Sequence, residues 1–327
     1  MKNILKESSY SIKKAVKLLS ENKLVSLKTE TVYGLACDPS SIKSIKKLYD
    51  LKKRPFANPL IIHVSSLQML NSVCYTNELT KKIVDHFWPG PLTLILPRKK
   101  NKKILDSAVS GLNTVAVRMP KSLVFQSVLK KFGKPIAAPS ANESGYISST
   151  KANHVFDSFK KKVDLIIDSG QSDFGLESTI IDLSSKKIIL RRPGVVDAKS
   201  LEIFIEKKIY ESNTIKKNPN SPGQFLKHYS PKTPIKLNVK SPKDGEAFLG
   251  FGKLNFYHKP SLNLSINGDL NEAAFNLFNF LRKLDKLNKN KISIYPIPKR
   301  GIGKAINERL LRAEYKWVIP IKIFSKN

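Results

Sequence analysis

Apolar positions recur with a helical period in some stretches of the chain and in short unbroken runs in others, and the two kinds alternate. Ile12, Ala15, Val16 and Leu19 share one face of a helix that Ser8 or Ser9 can cap, and the start of the chain through residue 22 reads as an amphipathic helix. KLVSLKT (23–29) is short and β-prone. Ile42, Ile45 and Leu48 predict a second helix from near Ser41 that stops by Pro55, and PLIIHV (59–64) predicts a buried strand. Leu79, Ile83 and Phe87 place another helix ahead of Trp88-Pro89-Gly90-Pro91, an architectural breaker cluster, and LTLIL (92–96) resumes as strand. TVAVR (114–118), PIAAPS (135–140), DLIID (164–168), STIIDL (178–183) and KIILRR (187–192) are further strands, with helices around 121–131 and 150–160. Because some strands follow one another without a helix between, the pattern predicts an α/β fold with a twisted mixed sheet flanked by helices.

From Glu211 to Pro234 the periodicity fades and four prolines appear, as in a linker. Beyond it AFLGFG (247–252) and LNFYH (254–258) read as strands. Ala274, Leu277, Leu281 and Leu284 form the inner stripe of a long helix, followed by KISIYPIP (291–298) and a helix near 303–314. The expected division is 1–207 as a first domain, 208–234 as a linker, and 235–327 as a smaller α/β, Rossmann-like domain.

With 327 residues, 41% hydrophobic and 26% charged, the chain has enough apolar material for two ordinary globular domains. No apolar run approaches the roughly 18 residues of a membrane span, which predicts a soluble, cytoplasmic protein. Its 58 basic and 26 acidic residues give a net charge of +32, a field that attracts polyanions. Nine of the 58 are Arg, so 49 are Lys, the more solvated and less geometrically specific cation, and runs such as Lys160-Lys161-Lys162 are read first as solvated faces. Cys37 and Cys74 are too few for a zinc site or a disulfide framework and read as buried thiols.

The sequence contains no complete phosphate-binding glycine loop of the G-x-x-x-x-G-K-[ST] type, no complete G-x-G-x-x-G, no H-E-x-x-H and no G-x-S-x-G. What remains are polar clusters at strand ends, where open α/β sheets collect ligand contacts. In Lys28-Thr29-Glu30-Thr31-Val32-Tyr33-Gly34 strand alternation puts Thr29 and Thr31 on one face and Glu30 on the other; the alternative is a strand and turn with Tyr33 in the core. Lys52 and Arg54 before Pro55, with Asn58 following, suit a phosphate chain, and suit equally a helix C-terminus that attracts cations. His63 lies in an apolar strand and reads as a core histidine. The loop from Ala138 to Ser148 is rich in hydroxyls, an amide and a glycine; it can hold phosphate or ribose oxygens, or be a plain turn.

Taken in order, TETVYGL, KKRPFANPLIIHV, FWPGPLTLIL, TVAVRMP, PIAAPSANESGYISST, LESTIIDLS and ILRRPGVV resemble the threonylcarbamoyl-AMP synthase family, over roughly residues 10 to 197. SPGQFLKHYSP resembles the linker of its two-domain form, and GIGKAINERLLRA the end of its accessory domain. The resemblance implies a YrdC-like catalytic domain. It also implies a reaction in which L-threonine is carboxylated on nitrogen by bicarbonate and the carbamate attacks the α-phosphorus of ATP, releasing pyrophosphate. By correspondence Lys52, Arg54, Asn58, Thr114, Ser140, Asn142, Ser148 and Arg192 contact ATP, with Lys52 and Arg54 supplying positioning and charge neutralisation, and Tyr229 in the linker closes over the site. Thr31, His63, Arg118, the backbone around Ala138, and Ser178 hold threonine. The resemblance further implies Mg²⁺ carried with ATP rather than in a metal cage of the protein, and a partner enzyme that transfers the threonylcarbamoyl group to tRNA; the basic charge adds an expectation of weak tRNA or other RNA binding, and the lack of a long apolar run one of no membrane association. Two other readings compete: a basic RNA-binding or ribosome-assembly protein using the same cleft, and a related carbamoyl-adenylate chemistry of hydrogenase maturation, which the lack of cysteine-rich zinc segments disfavours.

Overall fold

The computed structural model describes residues 3–211 and 228–318, which form two compact units, one of 3–144 with 148–211 and one of 145–147 with 228–318. The segment expected as a linker falls mostly on 212–227, outside the described residues.

The first unit opens with a strand, β1 (Ile4–Lys6), where the apolar pattern predicted helix. Helix α1 (Ser9–Ser20) begins later because Ser8 and Ser11 form a reciprocal cap: the Ser8 hydroxyl accepts from the Ser11 amide (3.1 Å) and the Ser11 hydroxyl from the Ser8 amide (2.9 Å). The chain continues through β2 (Val25–Lys28), β3 (Tyr33–Ala36), α2 (Ile42–Lys52), β4 (Ile61–His63), α3 (Leu67–Asn71), α4 (Glu78–Phe87), β5 (Leu92–Pro97), β6 (Thr114–Arg118), α5 (Leu123–Phe132) and β7 (Ile136–Ala137). It ends with α6 (Ala152–Phe159), β8 (Leu165–Asp168), β9 (Thr179–Asp182), β10 (Ile188–Arg192), α7 (Ala198–Ile205) and β11 (Ile209–Glu211).

These strands make two sheets rather than the single one expected, ordered β1-β8-β2-β3 and β11-β10-β9-β5-β6-β4-β7, both mixed. The isolated bridges Gly34↔Ser140 and Cys37↔Ala137 stitch the β3 edge of one to the β7 edge of the other. A side chain on Gly34 would place Cβ 3.1 Å from that of Ala138, so the missing side chain allows this close approach. Alternation decides what each face of the seven-stranded sheet covers. Ile62, Leu94, Val117 and Ile181 point into the large core under α2, α4 and α7, while Ile61, Ile95, Ala116 and Ile180 form a small apolar cluster of their own on the opposite face.

The second unit carries β12 (Ile235–Lys236), β13 (Ala247–Gly250), β14 (Ser261–Asn263), α8 (Leu270–Asp285), β15 (Ile292–Ile294) and α9 (Ile302–Val318). Its sheet is wholly parallel, in the order β12-β15-β13-β14, and the predicted stripe Ala274, Leu277, Leu281, Leu284 is buried. LNFYH is not a strand. Its side chains are anchored instead, Phe256 against Phe248 (5.4 Å between ring centroids) and His258 Nε2 at 2.8 Å from the Glu246 carbonyl, and the strand forms after Pro260.

Candidate functional site

Registers alone bring several predicted residues to one margin of the seven-stranded sheet, where β4, β6 and β10 end and β5 and β9 begin. His63 is level with Arg118, Ile180 is level with both Thr93 and Arg192, and Leu94 pairs with Val117, which sets Thr93 beside Arg118. This polar row borders the apolar floor of Ile61, Ala116, Ile95 and Ile180.

Arg118 is the centre of the row and is buried. Its Nε donates to the Gly90 carbonyl (3.1 Å), Nη1 donates to the Thr31 hydroxyl (2.7 Å), and Nη2 lies 2.7 Å from the Glu30 carboxylate. Gly90 belongs to the breaker cluster, so that turn also positions the guanidinium. Residues 29–32 are the turn between β2 and β3 rather than strand, which corrects the alternation argument. The Thr29 hydroxyl donates to the Val32 carbonyl (2.6 Å) and lies 2.8 Å from that of Thr31, so the two threonines do meet, through turn geometry. His63 is buried beside Phe125; burial and then the Arg118 charge lower its pKa to about 3, so the imidazole is neutral at pH 7. Arg192 donates from Nε to the Ser178 carbonyl (3.1 Å) and from Nη2 to the Ser178 hydroxyl (3.1 Å), which lies 2.7 Å from that of Thr93.

The second group gathers where α2 ends and β4 begins. Lys52, 1% exposed in the last turn of α2, donates to the carbonyls of Ser140 and Asn142, both at 2.5 Å. Burial, then the charge on Arg54, pushes its pKa well below the ordinary lysine range, with Glu143 opposing. Arg54 donates to the carbonyls of Asn58 (3.0 Å) and Pro59 (2.8 Å). The Asn58 side chain is fully buried, and its amide nitrogen and oxygen have no hydrogen-bond partner among the described residues. A buried amide in that condition is costly unless a ligand meets it.

Other predicted residues are placed differently. Thr114 opens β6 beside Pro97, about 13 Å of strand from Arg118, so it belongs to the β4 entry and not to the polar row. The Ser148 hydroxyl donates to Glu177 (2.5 Å) and the Asn142 amide to the Glu143 carbonyl (2.7 Å). The Ala138 amide donates to the Ile61 carbonyl (3.0 Å). Tyr229 lies in the second unit, buried there with φ +61°, its ring stacked on Phe278 (5.5 Å) and under the Arg309 guanidinium (5.1 Å). Cys37 and Cys74 are buried free thiols, as expected. Sequence reasoning passed over Glu30, Thr93 and Glu177. Thr93 had a signal, a polar residue on the alternate face of an otherwise apolar strand.

Comparison with known proteins decides the family. A family model described as "Telomere recombination" matches residues 17–194, and one described as "Threonylcarbamoyl-AMP synthase, C-terminal domain" matches 196–314. The chain is 33% identical to the threonylcarbamoyl-AMP synthase of Bacillus subtilis, with 92% of each chain covered. The chain belongs to the threonylcarbamoyl-AMP synthase family. It is also 33% identical to the synthase of Pyrococcus abyssi, covering 95% of this chain and 96% of that one. The crystal structure of P. abyssi Sua5 complexed with L-threonine superposes with a TM-score of 0.87 at 31% identity, over 95% and 96% of the two chains. Escherichia coli YciO, at 21% identity and TM-score 0.54 over 60% of this chain and 95% of its own, is similar in fold alone. The C-terminal family match runs over residues 196–314 and so takes in 228–314 of the second unit, not only the closing helix that carried the resemblance in the sequence. Among the described residues, no helix is long and apolar enough to cross a membrane.

Proposed function

We propose that this threonylcarbamoyl-AMP synthase joins L-threonine, bicarbonate and ATP into L-threonylcarbamoyladenylate and pyrophosphate, with the amino acid at the Arg118 margin and the triphosphate at the Lys52–Arg54 end. The observation that carries the reading is the set of four buried cations, Lys52, Arg54, Arg118 and Arg192, each held to backbone carbonyls or hydroxyls of one unit. A reaction at phosphorus that makes a mixed anhydride needs charge neutralisation and placement more than a nucleophilic side chain.

Threonine's carboxylate pairs with Arg118, and its hydroxyl meets the neutral His63 or Thr31. Its amine is carboxylated by bicarbonate with loss of water, an oxygen of the resulting carbamate attacks the α-phosphorus, and the bond to pyrophosphate breaks, the leaving group departing against Lys52 and Arg54. Asn58, Thr114, Ser140, Asn142, Ser148 and Arg192 hold the remainder of ATP, and Ser178 and the backbone around Ala138 hold threonine. Two nearby carboxylates already face protein groups, Glu30 the Arg118 guanidinium and Glu177 the Ser148 hydroxyl. These residues suit a Mg²⁺ held by phosphate oxygens and water, whose chemistry is to neutralise the triphosphate. Transfer of the product to tRNA belongs to a partner enzyme, and the setting is the cytoplasm, in keeping with the two free thiols.

The test is pyrophosphate release from ATP with labelled bicarbonate, with and without L-threonine. Threonine-dependent release with label in the adenylate is expected; a rate indifferent to threonine overturns the proposal.

A further inference from the structure

The carboxylate of Glu30 sits beside Arg118 with no role assigned to it. It is 1% exposed, and neither oxygen has a hydrogen-bond partner among the described residues, although Arg118 Nη2 lies 2.7 Å from Oε1. An ionised carboxylate can accept about four hydrogen bonds, so most of its capacity is unmet at a buried site, where such a deficit is costly. The turn holds it there: the Thr29 and Thr31 contacts fix residues 29–32, and the Glu30 carbonyl accepts from the Phe174 amide (2.9 Å). Arg118 Nη2 and His63 Nδ1 likewise have no hydrogen-bond partner among the described residues.

A carboxylate and a guanidinium side by side form a charge couple of one sign order, and an α-amino acid carries the opposite couple, ammonium next to carboxylate. We infer that Glu30 is the receptor for the substrate's α-ammonium group, so that Glu30 and Arg118 together read a zwitterion. Without ligand the two side chains neutralise each other. With ligand, the ammonium supplies the donors Glu30 lacks and the carboxylate the acceptors Arg118 Nη2 lacks. Free amino acids are thereby favoured over hydroxy acids of the same shape, which present a neutral group to a buried anion.

The inference rests on the amino-acid site proposed above, and calorimetry on the full chain separates the two. The ligands are L-threonine and (2S,3R)-2,3-dihydroxybutanoate, in which a hydroxyl replaces the ammonium. Wild type is expected to bind threonine and to bind the hydroxy acid roughly 10- to 100-fold more weakly. Glu30→Gln is expected to lose roughly 10- to 100-fold for threonine, and to keep or improve its affinity for the hydroxy acid while binding ATP as wild type does. Equal binding of both ligands by wild type overturns the inference without using a variant. Equal losses for both ligands in Glu30→Gln also overturn it, since they would make Glu30 only a support for Arg118. Failure of wild type to bind threonine at all removes the site proposal itself.

Discussion

At the scale of single residues the structure makes two demands that can be measured on stability. His63 is neutral in the folded chain, with a pKa of about 3 against about 6.5 when unfolded. Between those values the unfolded chain binds a proton that the folded chain does not, so the contribution is intact above pH 6.5 and is lost as pH falls. Unfolding free energy should drop by about 1.4 kcal/mol per pH unit from this group, hence by roughly 2–3 kcal/mol between pH 6.5 and 4.5. Urea titrations of wild type and His63→Phe should diverge by that slope, and parallel curves would remove the assignment. Gly194 makes the second demand. A Cβ there would meet the Thr179 amide nitrogen at 2.3 Å, the Ser178 carbonyl carbon at 2.5 Å and the Glu177 carbonyl oxygen at 2.6 Å, all backbone atoms. Gly194→Ala should cost about 1–3 kcal/mol and displace Ser178 from Arg192, lowering threonine affinity as well as stability. A variant as stable as wild type in urea would contradict it.

At the scale of elements, α2 delivers Lys52 as its last residue. Lys53 caps it in the left-handed region, φ +51°, where a residue with a Cβ is strained and glycine is not. Its ion pair with Glu143 (3.1 Å) joins side chains 76% and 42% exposed and contributes little. Lys53→Gly should therefore raise stability by roughly 0.5–1 kcal/mol with Lys52 unmoved, read as a higher melting temperature at unchanged synthase rate. A lower melting temperature would show that the ion pair outweighs the strain. The contrast between α2 and β1 shows what was legible in the sequence. The Ser41 cap and the buried Ile45, Leu48 and Tyr49 fix α2 locally, although Ile42 of the expected stripe is exposed, whereas β1 exists only because β8, more than 150 residues away, pairs with it. The same holds for the site. Lys52 and Arg54 stand out by charge and spacing, but Thr93 and Glu30 acquire meaning only when register and turn bring them to Arg118. The stretch 29–32 deceived for a related reason: threonine is a strand former, and here its hydroxyls close a turn.

At the scale of the whole molecule, the charge of +32 divides into two populations with different work. Arg54, Arg98, Arg118, Arg192, Arg282 and Arg309 are buried, six of the nine arginines, and among the described lysines only Lys52 ranks with them. The geometrically specific cations are inside, and the excess charge is lysine in contact with water. A surface field of that kind attracts RNA without sequence preference and is screened over about 10 Å at 0.1 M salt, while buried pairs are screened far less. The two functional readings therefore separate by ionic strength and by one substitution. RNA retention should fall steeply between 50 mM and 400 mM KCl and be the same for wild type and Arg54→Ala. Threonine-dependent pyrophosphate release should change by no more than about threefold over that range and drop by at least about 100-fold in Arg54→Ala, a loss consistent with removing a cation that neutralises a leaving phosphate. Filter binding and pyrophosphate assays on the same preparations measure both. If instead Arg54→Ala lost RNA binding and kept pyrophosphate release, the buried cations would be serving a nucleic acid and the adenylate chemistry would have to be placed elsewhere.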